Sequence, residues 1–99
     1  MSYTAHKDSF ARDNLPPRAQ WPALLFELPA LKYPARMNCA AELLDGALAR
    51  GHGERIAIRA PDGKCSYAQL LAQANRLANV LVKEMGLAPG NRVLLHGPN

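Results

Sequence analysis

Ser66 to His96 constrains this chain more than any other stretch, because it reads as a capped helix, a tight turn and an apolar strand in unbroken succession. Ser66 stands where an N-cap belongs and Gln69 follows three positions on, the spacing of a capping box. Cys65 just before the cap and Leu70 just inside it occupy the positions of a hydrophobic staple. Tyr67, Leu70, Leu71, Ala74, Leu77, Ala78, Leu81 and Met85 then recur at three- and four-residue steps, which makes one stripe at 3.6 residues per turn. Gln69, Gln73, Arg76, Asn79 and Lys83 fall on the other side. Val80 is the exception, an apolar residue on the polar face. Gly86 supplies the left-handed residue that ends a helix, and Leu87 can fold back on Val82 in a Schellman arrangement. Pro89 and Gly90 suit the central positions of a type II turn. Val93, Leu94 and Leu95 are consecutively apolar, so residues 92–96 are expected as a strand covered on both faces, as in a parallel sheet.

The preceding residues divide into two parts. Residues 1–35 read as an irregular arm, since Pro16, Pro17, Pro22, Pro29 and Pro34 recur too often for a long helix. Trp21, Leu24, Leu25, Phe26, Leu28, Leu31 and Tyr33 give that arm large apolar groups, which are expected to pack on the body of the protein. The segment from Trp21 to Pro29 suits a short helix with Pro22 in its first turn. In residues 36–99, Asn38 is expected to cap a helix running to about Arg50, with Ala40, Leu43, Leu44, Ala47 and Leu48 on its buried face. Gly46 weakens that helix by up to ~1 kcal/mol relative to alanine. Gly51 ends it. Residues 55–59 alternate, with Ile56 and Ile58 on one side, and Ala60-Pro-Asp-Gly63 is turn chemistry that brings residues 64–66 back as a hairpin. The order is arm, helix, hairpin, helix, strand.

Composition limits the function classes. Ninety-nine residues provide for one small core. The net charge is +4, but six basic and five acidic residues lie in the first fifty positions and six and three in the rest. No basic tract interleaved with aromatics arises, which argues against a nucleic-acid partner. No apolar run approaches the roughly 20 residues of a membrane span, and the first residues lack the apolar core of a secretory signal. A cytoplasmic protein with Cys39 and Cys65 reduced is the expectation.

No chemistry-bearing constellation emerges. His6, His52 and His96 with Cys39 and Cys65 lack the spacing of structural zinc sites. Glu42 with Asp45, or Glu54 with Asp62, are the available carboxylate pairs, and solvated faces explain them. His96 sits at a strand end, where open α/β sheets bind ligands, yet local partners account for it. The segments 86–90 and 60–63 are turns, because neither precedes a helix with the Lys and Ser or Thr of a phosphate loop. No catalytic, cofactor-binding or metal-binding residue is therefore assigned.

Ser66-Tyr67-Ala68-Gln69-Leu70, the helix after it, and Gly86-Leu87-Ala88-Pro89-Gly90-Asn91-Arg92-Val93 resemble the first conserved region of AMP-forming acyl-CoA synthetases, a superfamily that includes luciferases and adenylation domains. The pattern there is Ser or Thr, Tyr, any residue, Glu or Gln, Leu, a helix, then Gly-x-x-Pro-Gly-Asp-x-Val. Asn91 stands in for the usual acidic residue and Gln69 for the usual glutamate. Phe10 to Pro17, Trp21-Pro22, Leu25-Phe26, Leu28-Pro29, Tyr33-Pro34 and Asn38 to Asp45 look like the aryl-acid branch, near benzoate-CoA and 2-aminobenzoate-CoA ligases. The resemblance implies an α/β fold in which residues 36–99 begin the large AMP-binding domain and stop short of completing it. It implies a longer parent that uses ATP, Mg2+ and coenzyme A to activate a carboxylic acid such as benzoate or 2-aminobenzoate, with the rest of the same polypeptide as partner. Every active-site element of that family lies further along, so the 99 residues themselves are expected to be inactive. The alternative is a free-standing small α/β interaction module with no enzymatic activity.

Overall fold

Asn38 opens the first substantial helix as its sequence position suggests: its side-chain Oδ1 accepts the Ala41 N–H at 3.1 Å, and its carbonyl accepts the Glu42 N–H at 3.0 Å. The computed structural model describes residues 5–98; the first four residues of the expected arm and Asn99 lie outside them. Those residues form an α/β structure of helices and one two-stranded antiparallel sheet. They fall into two compact units, Met37–Gly86 and a second made of the residues before it together with those after it.

Within Met37–Gly86, the first helix begins with an α-helical turn at Cys39 and Ala40, widens into a π-helical turn at Ala41–Asp45 and returns to α-helix at Gly46–Ala49, here α2. The wide turn shifts the face that the sequence pattern assigns. Ala41, Leu44, Ala47 and Leu48 are covered, while Ala40 is exposed and Leu43 keeps 66% of its surface. A period longer than 3.6 residues rotates successive side chains away from the expected stripe. Ala47, 3% exposed, is the one buried apolar residue among those described. The helix ends in a Schellman motif: the Gly51 N–H donates to the Leu48 carbonyl and the His52 N–H to the Ala47 carbonyl, both at 2.9 Å. Gly51 adopts a φ of 79°, which a side chain would resist.

The hairpin follows with strands β1 (Ile56–Ala60) and β2 (Gly63–Ser66), paired antiparallel around Pro61 and Asp62. Ile56 pairs with Ser66 and Ile58 with Cys65, so two steps on β1 oppose one step on β2. That bulge at Ala57 places Ile56 and Ile58 beside successive residues of the partner strand, and hence on opposite faces. The expected common apolar side of Ile56 and Ile58 does not form; both are exposed and Ala57 is half-buried.

Ser66 then caps α3 (Tyr67–Asn79) with both halves of the capping box in place. The helix continues as a π-helical turn, Val80–Glu84. Its first part packs on α2, on Ala41–Asp45 and on both strands, and Tyr67, Leu70, Leu71 and Ala74 are half-buried there. Val80–Glu84 contacts no other element among the described residues. Length explains this: residues 67–84 run about 27 Å, whereas residues 39–49 run about 17 Å. The overhanging end leaves Leu77 60%, Val82 60% and Met85 64% exposed. Val80, off the stripe, is 40% exposed. Gly86 takes the expected left-handed φ, 67°.

The second unit is built differently. Phe10–Asp13 is a single helical turn, α1, and Arg18–Gln20 and Pro29–Leu31 are short 3₁₀ turns. The helix expected over residues 21–29 is absent, and the chain between the two 3₁₀ turns is irregular. Six residues between Pro22 and Pro29 are too few to repay helix nucleation, and their apolar groups find little cover. Leu24, Leu25, Phe26 and Leu28 are all at least half exposed. Trp21 is fixed locally instead, with its Nε1–H donated to the Pro16 carbonyl at 2.8 Å and the Arg18 guanidinium 5.1 Å from its ring centre.

Residues 88–91 form the expected type II turn, with the Asn91 N–H bonded to the Ala88 carbonyl at 3.0 Å and Gly90 at φ 97°. The strand expected at 92–96 is not formed: these residues pair with no strand, and Leu94 and Leu95 are 91% and 90% exposed. A strand exists only with a neighbour to accept its N–H and C=O groups, and the described residues offer none.

Candidate functional site

The start of α3 is the first place to look for a phosphate site, because free helical N–H groups bind anions. Here every donor is already used. The Ser66 N–H goes to Gln69 Oε1 at 2.9 Å and the Gln69 N–H to Ser66 Oγ at 3.2 Å. The Tyr67 N–H goes to the Arg55 carbonyl at 3.0 Å, and the Ala68 N–H to the Gly53 carbonyl at 2.9 Å. Four orphan donors meet four acceptors from the same chain, which makes this terminus a structural joint.

The other sequence candidates are not brought together. Among the described residues no three His, Cys, Asp or Glu side chains could hold a metal ion. Cys39 is exposed, Cys65 is half-buried, and neither is in a disulfide. Glu42, Asp45, Glu54 and Asp62 are exposed. His52 serves through its backbone in the Schellman motif and through its carbonyl, which accepts the Arg55 N–H at 3.0 Å. A depression of about 210 Å³ lies along the hairpin, lined by Ile58, Ala60, Asp62, Gly63, Lys64 and Cys65. That is below the roughly 300 Å³ at which small-molecule pockets begin. No helix among the described residues is long and apolar enough to cross a membrane.

The sequence does not single out a polar cluster formed around Asp8. Asp8 Oδ1 accepts the Phe10 N–H at 3.0 Å, while Oδ2 accepts Asn91 Nδ2 at 2.8 Å and Arg92 Nη1 at 2.6 Å. Asn91 Oδ1 in turn accepts the Ala88 N–H at 2.8 Å. The Arg92 guanidinium lies 4.4 Å from the Phe10 ring centre. The Lys7 and Asp8 amides both donate to the Pro89 carbonyl, at 2.8 and 3.0 Å. The Phe10 N–H, followed by the Asn91 amide and the Arg92 charge, holds the Asp8 carboxyl below its ordinary value, partly offset by desolvation. The signal missing from the sequence is proximity, since Asp8 and Asn91 lie 83 positions apart.

Comparison with known proteins gives the class to which these elements belong. The chain belongs to the AMP-binding enzyme family, which it matches over residues 47–99, more than half its length. Among similar proteins are acetyl-coenzyme A synthetases from Burkholderia thailandensis, 42% identical over 67 residues, and Burkholderia lata, 39% identical over 67 residues. An acetyl-coenzyme A synthetase of Burkholderia mallei is 40% identical over the same length. Each match covers 63% of this chain and 10% of the relative. The chain therefore spans about a tenth of the length of the curated relatives it matches. No solved structure matches it.

Proposed function

We propose that this chain is the N-terminal part of an AMP-forming acyl-CoA ligase, in which a carboxylate attacks ATP to give an acyl-adenylate and pyrophosphate before a thioester forms with coenzyme A. The observation that carries this reading is the family match over residues 47–99, which takes in the Ser66–Gln69 cap, α3 and the Ala88–Asn91 turn. What supports a scaffolding role is that the α3 terminus has no spare donor for a phosphate and that, among the described residues, no His, Cys, Asp or Glu group could hold a cation. The chain's contribution is scaffold, and the 99 residues alone are inactive. Its partners are the carboxylic acid substrate and the rest of the polypeptide, in a cytoplasmic setting compatible with the unpaired Cys39 and Cys65.

Two substrate readings have specific support. The arm, from Phe10 to Pro17 and on to Tyr33-Pro34, resembles the aryl-acid branch and favours benzoate or 2-aminobenzoate. The names of the similar Burkholderia proteins favour acetate. ATP–pyrophosphate exchange by the full-length protein across acetate, benzoate and 2-aminobenzoate separates them. Exchange dependent on one class of acid selects that reading. Exchange with none of these or related carboxylates overturns the ligase assignment.

A further inference from the structure

We propose that residues 6–10 form a releasable strap over the Ala88–Asn91 turn, and that its closure requires a neutral amide at position 91 opposite the Asp8 carboxylate. The backbone half of the strap is the pair of Lys7 and Asp8 amides on one acceptor, the Pro89 carbonyl. Gly90 permits that approach, because a Cβ there would collide with the Asp8 carbonyl oxygen and come within 3.0 Å of the His6 Cβ. The side-chain half is the Asp8 carboxylate, which joins the Phe10 amide to Asn91 and Arg92.

Asn91 uses both ends of its amide. The oxygen closes its own turn on the Ala88 N–H, and the nitrogen donates to Asp8. An aspartate at 91, the residue usual in the resembled pattern, could still close the turn. Its second oxygen would face Asp8 Oδ2 with no proton between them, a like-charge contact in place of a hydrogen bond. Residue 91 therefore reads the charge of residue 8.

The strap is also separable from Met37–Gly86. The Asp8 and Arg92 side chains that close it are 30% and 53% exposed, and Phe10 is 56% exposed. Few buried apolar contacts and solvent-facing polar bonds are the marks of a segment that opens without global unfolding.

Amide hydrogen exchange on the 99-residue chain at neutral pH tests this with four proteins: the parent sequence, Asp8→Asn, Asn91→Asp and the double swap. Asn91→Asp is expected to lower protection of the Lys7 and Asp8 amides by roughly fivefold, and the double swap to restore most of it. The Gln69 amide, held by the capping box, serves as the internal control and should keep its protection in all four. Unchanged Lys7 and Asp8 protection in Asn91→Asp overturns the charge reading, as does a double swap that fails to recover it. Equal loss at Gln69 would show that the strap opens only with the rest of the chain, and overturns separability.

Discussion

Met37–Gly86 and the unit formed by the residues around it solve the same problem by different means. In the first, backbone groups close on the backbone or on adjacent caps. Asn38 opens one helix, Gly51 and His52 end it, and Ser66, Gln69, Arg55 and Gly53 satisfy the whole N-terminus of α3. In the second, α1 is one turn long and the long-range connection passes through the Asp8, Asn91 and Arg92 side chains and the Pro89 carbonyl. Local backbone closure tolerates sparse burial because neighbouring residues supply each partner. A side-chain junction between positions 83 apart must bring distant segments together first, and loop closure weighs against it.

Substitutions that attack each device should separate the two units. The largest effect is expected from Gly90→Ala, which combines a φ of 97° with a collision against the Asp8 carbonyl. The left-handed conformation alone costs about 1–2 kcal/mol. Protection of the Lys7 and Asp8 amides should collapse while that of Gln69 persists, as read by hydrogen exchange. Gly51→Ala meets open space but keeps the φ of 79°, so about 1 kcal/mol should be lost from Met37–Gly86 in denaturant unfolding followed by circular dichroism. Ser66→Ala removes the acceptor for the Gln69 N–H and should cost about 1 kcal/mol in the same measurement. Equal effects of all three on both units would erase the distinction.

Acid should act on the second unit through Asp8. The Asp8 carboxyl is held below its ordinary value of 3.8, so its contribution is complete above that pH and is lost as pH falls through the lowered folded value. Protection of the Lys7 and Asp8 amides should stay level through neutral and mildly acid pH and decline only below the ordinary carboxylate value. Asp8→Asn should abolish that decline. The smallest effect belongs to Leu94→Ser and Leu95→Ser, whose side chains are 91% and 90% exposed and should change unfolding of this chain by less than about 0.5 kcal/mol.

The same contrast decides what the sequence makes legible. The capping box at Ser66 and Gln69, the cap at Asn38, the hairpin turn and the Ala88–Asn91 turn are written in residues three or four positions apart, and each is present. The bulge at Ala57 and the π-helical turn at Ala41–Asp45 leave no local code, because they adjust one element to its neighbour. They displaced the predicted apolar faces of β1 and the first helix. The apolar run Val93, Leu94 and Leu95 suggests a covered strand, but a strand requires a hydrogen-bonding neighbour, and among the described residues there is none for it. The Asp8 junction has no local signature for a similar reason. Asp8 and Arg92 are ordinary charged residues until the fold brings them to 2.6 Å. The candidate site was legible only as a deficit, since no spacing of His, Cys, Asp, Glu or Gly suggested chemistry.

Equilibrium titration of the 99-residue chain with ATP, alone and with Mg2+, tests most directly the account that it supplies structure to an AMP-binding enzyme while the reacting groups lie elsewhere. No saturable binding is expected, since the donors at the start of α3 are all engaged, and the full-length protein should bind under the same conditions. Saturable ATP binding by the 99 residues, lost on Ser66→Ala or Gln69→Ala, would contradict it.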